Sequence, residues 1–198
     1  MPTKAQLTTQ YIIEKVAPVF NRLGYEATSM ADITNATGLT KGAIYGNFEN
    51  KEALAIAAFN HNIRRVIGLI GDKMNEKESA IDKLFAMTAF YKTYHAFTME
   101  LGGCPLLNVG VDTNNLNSPL HARVILVLKK LQGNIAVIIQ QGIDDGIFKP
   151  ELNTQVLGSR MVSLIEGAIF TATMLKDQQP LTDMMDFIEQ MIINDFKK

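Results

Sequence analysis

Ile13, Val16, Ala17, Phe20 and Leu23 recur at spacings of three and four, the period of a helix with one buried face, and predict a helix over residues 4–23. Gly24 should end it in a left-handed cap, and Pro18, which removes a backbone donor and crowds the Glu14 carbonyl, should kink it. Three short pieces follow. Ser29 with Asp32 three residues on is a variant capping box opening a helix that Gly38 closes. Thr40 caps a second short helix over 41–48, where Ile44 and Phe48 share one apolar side. Asn50 caps a long helix whose positions Leu54, Ala57, Ala58, Val66, Leu69 and Ile70 carry it to about residue 74.

Beyond a polar break at 75–79 the periodic stretches lengthen to 80–100, 120–142, 152–176 and 181–196. A glycine- and asparagine-rich segment between the first two has room for a short helix around 105–111, and Ser118-Pro119 reads as an N-cap with proline in the first turn. No run alternates as a strand between hairpin turns. The expected fold is all-α with about nine helices, a small N-terminal unit over 1–49 joined to a larger C-terminal helical bundle over 50–198.

Composition narrows the class. Of 198 residues 47% are apolar and 20% charged, with 14 Gly and 6 Pro, which excludes collagen-like and disordered chains. No stretch reaches the ~18 uninterrupted apolar residues of a membrane span, and Glu14 and Lys15 break the only apolar run near the N-terminus. A cytoplasmic protein, with neither membrane span nor secretory signal, is expected. Lys and Arg number 19 against 20 Asp and Glu, so there is no chain-wide basic field. Within residues 1–60, Lys4, Lys15, Arg22, Lys41 and Lys51 offset Glu14, Glu26, Asp32, Glu49 and Glu52. Any nucleic-acid affinity there must come from placement, with a modest salt dependence.

Two short helices joined across Ala36-Thr37-Gly38-Leu39 form the helix-turn-helix arrangement, which sets the second helix proud of the surface. Its expected outward positions are Thr40, Lys41, Ala43, Tyr45 and Asn47, groups that donate to phosphate oxygens and read base edges, with Gly42 clearing space for a partner. Thr28-Ser29-Met30-Ala31-Asp32-Ile33, then Gly38-Leu39-Thr40-Lys41-Gly42-Ala43-Ile44-Tyr45-Gly46-Asn47-Phe48 and Asn50-Lys51-Glu52-Ala53-Leu54, resemble the DNA-binding signature of TetR-type transcriptional regulators. The resemblance is strong over about 4–59 and architectural beyond, although Gly103-Cys104-Pro105-Leu106-Leu107-Asn108 and Asp145-Gly146-Ile147-Phe148 are similar to segments that recur in one branch.

The resemblance implies a homodimeric repressor that places three-helix heads in successive major grooves of palindromic double-stranded operator DNA and is released by a small-molecule effector. By position, Lys41, Tyr45 and Lys51 match phosphate-contacting residues, Gly42 and Ala43 those nearest the bases, and Thr28 and Ser29 the hydroxyls that fasten the second helix to the DNA backbone. Gly46 stands where many members carry a large residue, which shifts specificity toward Thr40, Ala43 and Asn47. The alternative is a ligand or protein-interaction module that keeps the helix-turn-helix as scaffold and binds no DNA; the neutral N-terminal segment and Gly46 are its support.

The aromatic-rich stretch after residue 80 is part core. The resemblance implies an apolar effector pocket there, with Phe85, Phe90, Tyr94, Cys104 and Leu107 as its expected residues. Cys104 reads either as a sensor thiol or as a small apolar residue in a buried turn, and the second reading is preferred. His61, His95 and His121 lack metal-ligand spacing, so neither metal nor cofactor is expected. No nucleophile, base and orienting group stand in a catalytic order, so no enzyme is expected. The last two long helices carry apolar sets wider than one stripe, with Gly167 and Ala168 permitting close approach, and should bury against the same helices of a second chain.

Overall fold

Thr3, Ser29, Thr40 and Ser79 each stand in extended backbone just before a helix, and each side-chain oxygen accepts a hydrogen bond from the backbone N–H three residues on. Asn50, Ser118 and Asn153 accept in the same way from Ala53, His121 and Val156. Each such cap contributes about 1 kcal/mol and fixes where the chain may turn helical. The computed structural model describes residues 2–116 and 118–198. Among them are ten α-helices: α1 (Lys4–Leu23), α2 (Met30–Thr37), α3 (Lys41–Tyr45), α4 (Lys51–Asn75), α5 (Ala80–Tyr91), α6 (Tyr94–Leu101), α7 (Pro105–Thr113), α8 (Pro119–Asp144), α9 (Thr154–Leu175) and α10 (Gln179–Met191). A π-helical turn, Ile192–Phe196, follows α10.

Several boundaries differ from the sequence expectation, each for a local reason. The stretch 80–100 is two helices, because the chain tightens at Lys92 and Thr93: the Thr93 hydroxyl and its N–H both bond to the Phe90 carbonyl, at 2.9 and 3.0 Å. The helix expected over 41–48 ends at Tyr45, where Gly46 has no side chain to pack and the Asn47 amide takes the Ala43 carbonyl instead. The last helix ends at Met191 and widens into the π turn, which closes on the α8–α9 connection through Lys149 N–H to Phe196 O at 2.8 Å. Gly38 is left-handed, but Gly24 combines φ +86° with an extended ψ of 165°, so α1 stops without a left-handed helical cap. The α1 helix is continuous through Pro18.

Two compact units result, Met1–Val66 with Thr98–Leu126 and Ile67–Phe97 with Val127–Lys198. In the first, Ile12, Val16, Phe20, Ile33, Ile44 and Leu54 are buried between α1 and the short helices. Its second fastening is polar. The buried Asn21 amide donates to the carbonyls of Leu101 and Gly103, both at 2.7 Å. Asn108 returns a bond to the Asn21 carbonyl at 2.9 Å, and Asp112 accepts from the Tyr25 N–H at 2.6 Å. Gly103, at φ +115°, is required here, since a Cβ would collide with the Asn108 amide.

In the second unit α9 comes close to α8 at one point. A Cβ on Gly158 would strike the Gln132 carbonyl, so Gly158 is the close-approach glycine of α9 within the chain, whereas Gly167 faces open space. Phe90, Tyr91, Tyr94 and Phe97 pack as one aromatic cluster, with Tyr91 and Tyr94 centroids 5.2 Å apart. Lys92 ties α5 to α10 through Asp186 at 2.7 Å and Glu189 at 2.9 Å. Burial opposes its charge, but the hydrogen bonds it donates to the two carboxylates outweigh that and hold the ammonium above its usual value.

Candidate nucleic-acid interface and internal cavity

The α2–α3 pair is built by local chemistry. Ser29 and Asp32 cap α2 reciprocally, and the Ser29 bonds hold the Asp32 carboxyl below its ordinary range. Gly38 reverses the chain at φ +68°, and Thr40 restarts it by accepting the Ala43 N–H at 3.2 Å. Two contacts then fix the pair. Ile44 is 1% exposed in the core, and the Tyr11 hydroxyl donates to the Thr37 carbonyl at 2.9 Å. With Ile44 inward, Thr40, Lys41, Gly42 and Tyr45 are exposed and Ala43 is half-buried beside them. The Lys41 ammonium stands 5.8 Å from the Tyr45 ring centroid, one helical turn on.

The expected DNA-facing residues do not all lie on this face. Thr28 is fully buried, and its hydroxyl donates to the Gly24 carbonyl at 2.6 Å, so it fastens the α1–α2 loop internally. Asn47 is turned inward: its amide donates to Ala43 O at 2.9 Å and its oxygen accepts from the Thr9 hydroxyl at 2.8 Å. An amide with both ends engaged in the fold has lost most of its capacity to read a base edge. Ser29 remains exposed at the start of α2. Lys51 opens α4 half-buried, 4.6 Å from the Tyr25 ring centroid and 3.4 Å from the Glu26 carbonyl, which steadies its stem beside the helix-turn-helix. What the exposed set offers is a short helix bearing a hydroxyl, an ammonium, a phenol and an open glycine, a surface suited to phosphates and a groove floor.

The second unit holds a partly open cavity of about 360 Å³ between α4, α5, α8 and α9. Ile67, Ile70, Met74, Met87, Ile135, Ile138, Val162 and Ile165 make most of its wall, and Asn75, Lys83, Asn134, Gln141 and Glu166 supply its charged and amide groups. None of Phe85, Phe90, Tyr94, Cys104 and Leu107 lines it. Phe90 and Tyr94 are spent on the aromatic cluster, and Cys104 is 3% exposed at the head of α7, in the other unit with Leu107. Sequence reasoning missed Glu166, although it is the only charged residue in α9 between Arg160 and Lys176, a signal in plain view. Burial pushes its carboxyl up to about 7.

Among the described residues no three His, Cys, Asp or Glu side chains gather as a metal site, and no helix is long and apolar enough to cross a membrane. Residues 12–58 match a family model described as bacterial regulatory proteins, tetR family, and residues 80–188 match one described as tetracyclin repressor-like, C-terminal domain. A transcriptional regulator of the TetR family from Cytophaga hutchinsonii is similar throughout, with 34% identity, 100% of this chain and 98% of that one covered, and a TM-score of 0.91. The uncharacterized HTH-type transcriptional regulator YxaF of Bacillus subtilis is 28% identical over 86% of this chain and 87% of its own. The HTH-type transcriptional repressor DhaR of a Mycobacterium species is 20% identical over 93% of this chain and 91% of its own.

Proposed function

Because the chain belongs to the TetR family of bacterial regulatory proteins, we propose that this transcriptional regulator is a one-component homodimeric repressor that releases palindromic operator DNA when a small molecule enters its cavity. Residues 1–49 form the reading part and 50–198 the dimerising and effector-binding part, a functional division that need not follow the packing units. It works in the cytoplasm by binding, without catalysis and without a metal or cofactor. The observation that carries the reading is the exposed face of α3, where Thr40, Lys41, Gly42 and Tyr45 stand clear of a buried Ile44. Ser29, Ala43 and Lys51 complete the contact, with Lys41, Tyr45 and Lys51 on phosphates and Ala43 against base edges.

Dimerisation is supported by the outer sides of α9 and α10. Phe170, Met174 and Leu175 on α9 and Phe187 on α10 are each more than half exposed, and Gly167 is open on the same helix. Large apolar side chains left in water on adjacent helices are what a four-helix interface between two copies buries. Two heads so joined would reach half-sites about one helical turn, roughly 34 Å, apart. An apolar effector shifts the equilibrium toward the released state by its differential affinity for the two states.

The test is selection of bound duplexes from a random pool with the purified protein, followed by a salt series on the enriched sequence. A palindromic consensus whose affinity falls with salt is expected. No enrichment, even after denaturing and refolding to strip bound ligand, would leave the helix-turn-helix as scaffold only.

A further inference from the structure

The two ends of α5 each carry a lysine, and the surroundings of the two differ. Lys92, just past the last turn, is neutralised by Asp186 and Glu189, and these are the ion pairs formed among the described residues. Lys83, in the first turn, lines the cavity half-buried, and its ammonium donates to a neutral acceptor, Gln141 Oε1, at 2.7 Å. The orientation of the Gln141 amide is fixed from its other side. Its Nε2 donates to the Glu78 carbonyl at 3.2 Å and to Asp145 Oδ2 at 3.4 Å, so its oxygen is the atom turned to Lys83, and Asp145 stays one amide removed from the ammonium. Lys83 is thus steadied without being neutralised, and two of its three N–H donors make no bond among the described residues. The helix does not account for it either, since a cation in the first turn opposes the positive end of the helix dipole.

We propose that the effector is an amphipathic carboxylate, its head group on the Lys83 ammonium and its apolar chain along the wall formed by α4, α5 and α8. The inference rests on the reading that this cavity takes the effector, and it names the effector's class. Lys83 is the only permanent cation among the lining residues. Lys83, Met87 and Tyr91 fall at spacings of four on α5, so that side of the wall is about 12 Å long. Ile70 and Met74 of α4 with Ile135 and Ile138 of α8 complete an apolar bed for a chain. A half-buried ammonium beside such a wall lacks a counter-charge, and a guest carboxylate supplies one through a charge-assisted bond partly shielded from water. An alcohol offers the same site only a neutral bond, and an amine sets a second cation beside the first, so the lining discriminates by charge sign as well as by shape. Glu166, the one acid of the lining, does little to oppose an anion below about pH 7, because burial pushes its carboxyl up to about 7 and keeps it mostly protonated there.

Three probes of one chain length decide it: n-octanoate, n-octanol and n-octylamine, titrated calorimetrically at about pH 6, where an alkyl carboxylate is ionised, into the full-length protein, Lys83→Met and Lys83→Arg. Octanoate is expected to bind the natural protein at least about tenfold tighter than octanol, with the amine weakest. Lys83→Met should bring octanoate down to the affinity of the alcohol while leaving the alcohol unchanged, and Lys83→Arg, which keeps the charge, should retain most of the preference. The comparison of head groups on the natural protein needs no variant, so it decides the matter even where Lys83→Met does not fold. Octanol or octylamine binding the natural protein as tightly as octanoate, or a preference for octanoate that survives Lys83→Met, overturns the carboxylate on Lys83 while leaving an effector cavity. No binding of any of the three overturns the cavity as an effector site, and the carboxylate with it.

Discussion

The two compact units use buried polarity in opposite ways. In the first, Asn21 and Asn108 aim at main-chain carbonyls of distant segments, so their bonds specify where one backbone segment lies against another, while the Thr28 and Thr113 hydroxyls bond to carbonyls four residues back. In the second, Glu166 projects into a cavity of about 360 Å³ with a largely apolar wall. Bonds to main chain tolerate one geometry, because a carbonyl cannot move without its helix. A carboxyl in a cavity wall can change its charge and its partner. The contrast suits a regulator whose DNA-reading part must hold a fixed shape while another part answers to a guest.

The comparison breaks most easily at Asn21. Replacing Asn21 with leucine keeps the volume roughly but strips the Leu101 and Gly103 carbonyls of their 2.7 Å donors. One buried and one part-buried carbonyl deprived of a donor cost roughly 3 kcal/mol together, read as a lowered urea midpoint at fixed protein concentration. A loss below about 1 kcal/mol would mean the polar fastening is ornamental and apolar packing alone seats α1.

Glu166 gives the next largest effect and the opposite pH behaviour to an ordinary surface carboxylate. Its folded value of about 7 lies above the ordinary glutamate value of 4.5, so between these limits the folded state binds the proton more tightly than the unfolded one. This contribution to stability is therefore present below about 4.5 and is lost as pH rises through about 7. The loss is roughly 2 kcal/mol for a side chain still in partial reach of water. Glu166→Gln should flatten this part of the stability–pH profile. A variant profile parallel to that of the natural protein would show the carboxyl titrating as if in solvent.

Why some of this was legible in the sequence follows from the range of the interactions. Ser29 with Asp32, Thr40 with Ala43 and Gly38 after Thr37 act within three or four residues, so the helix-turn-helix could be placed from the letters alone. The break at Lys92 and Thr93 could not, since Thr88 makes the same kind of bond, to the Phe85 carbonyl, inside a helix that runs on, and no letter at 92 or 93 sets that turn apart. Asn47 looks outward by helical spacing, but Thr9, which turns it inward, lies 38 residues away. Aromatic density marks 85–97 as a pocket wall, yet Phe90, Tyr94 and Phe97 pack against one another, and beside Tyr91 most of the cavity wall falls to aliphatic residues indistinguishable by composition from core.

The first unit's outward polarity can be separated from its inward polarity by charge. Lys41→Ala removes an exposed ammonium that pairs with no carboxylate among the described residues, so it should leave the urea midpoint within about 0.5 kcal/mol. Operator affinity should fall about tenfold, and the slope of log affinity against log salt should drop by about one. An unchanged salt slope would place Lys41 away from phosphate.

Tyr45→Phe is the smallest change and separates the two groups that share the outer side of α3. The ring is 40% exposed and carries the Lys41 ammonium 5.8 Å from its centroid, an arrangement that phenylalanine preserves. Only the hydroxyl is lost. If that hydroxyl donates to a phosphate oxygen, affinity falls about three- to fivefold, the worth of one neutral hydrogen bond of about 1 kcal/mol. The salt slope stays where it was, because no charge has been removed and no additional counterion is retained. A slope that drops together with the affinity would mean that the phenol acts by steering Lys41, making the pair one contact. An unaltered affinity would leave Tyr45 as a platform for the ammonium and shift the reading to Thr40 and Ala43.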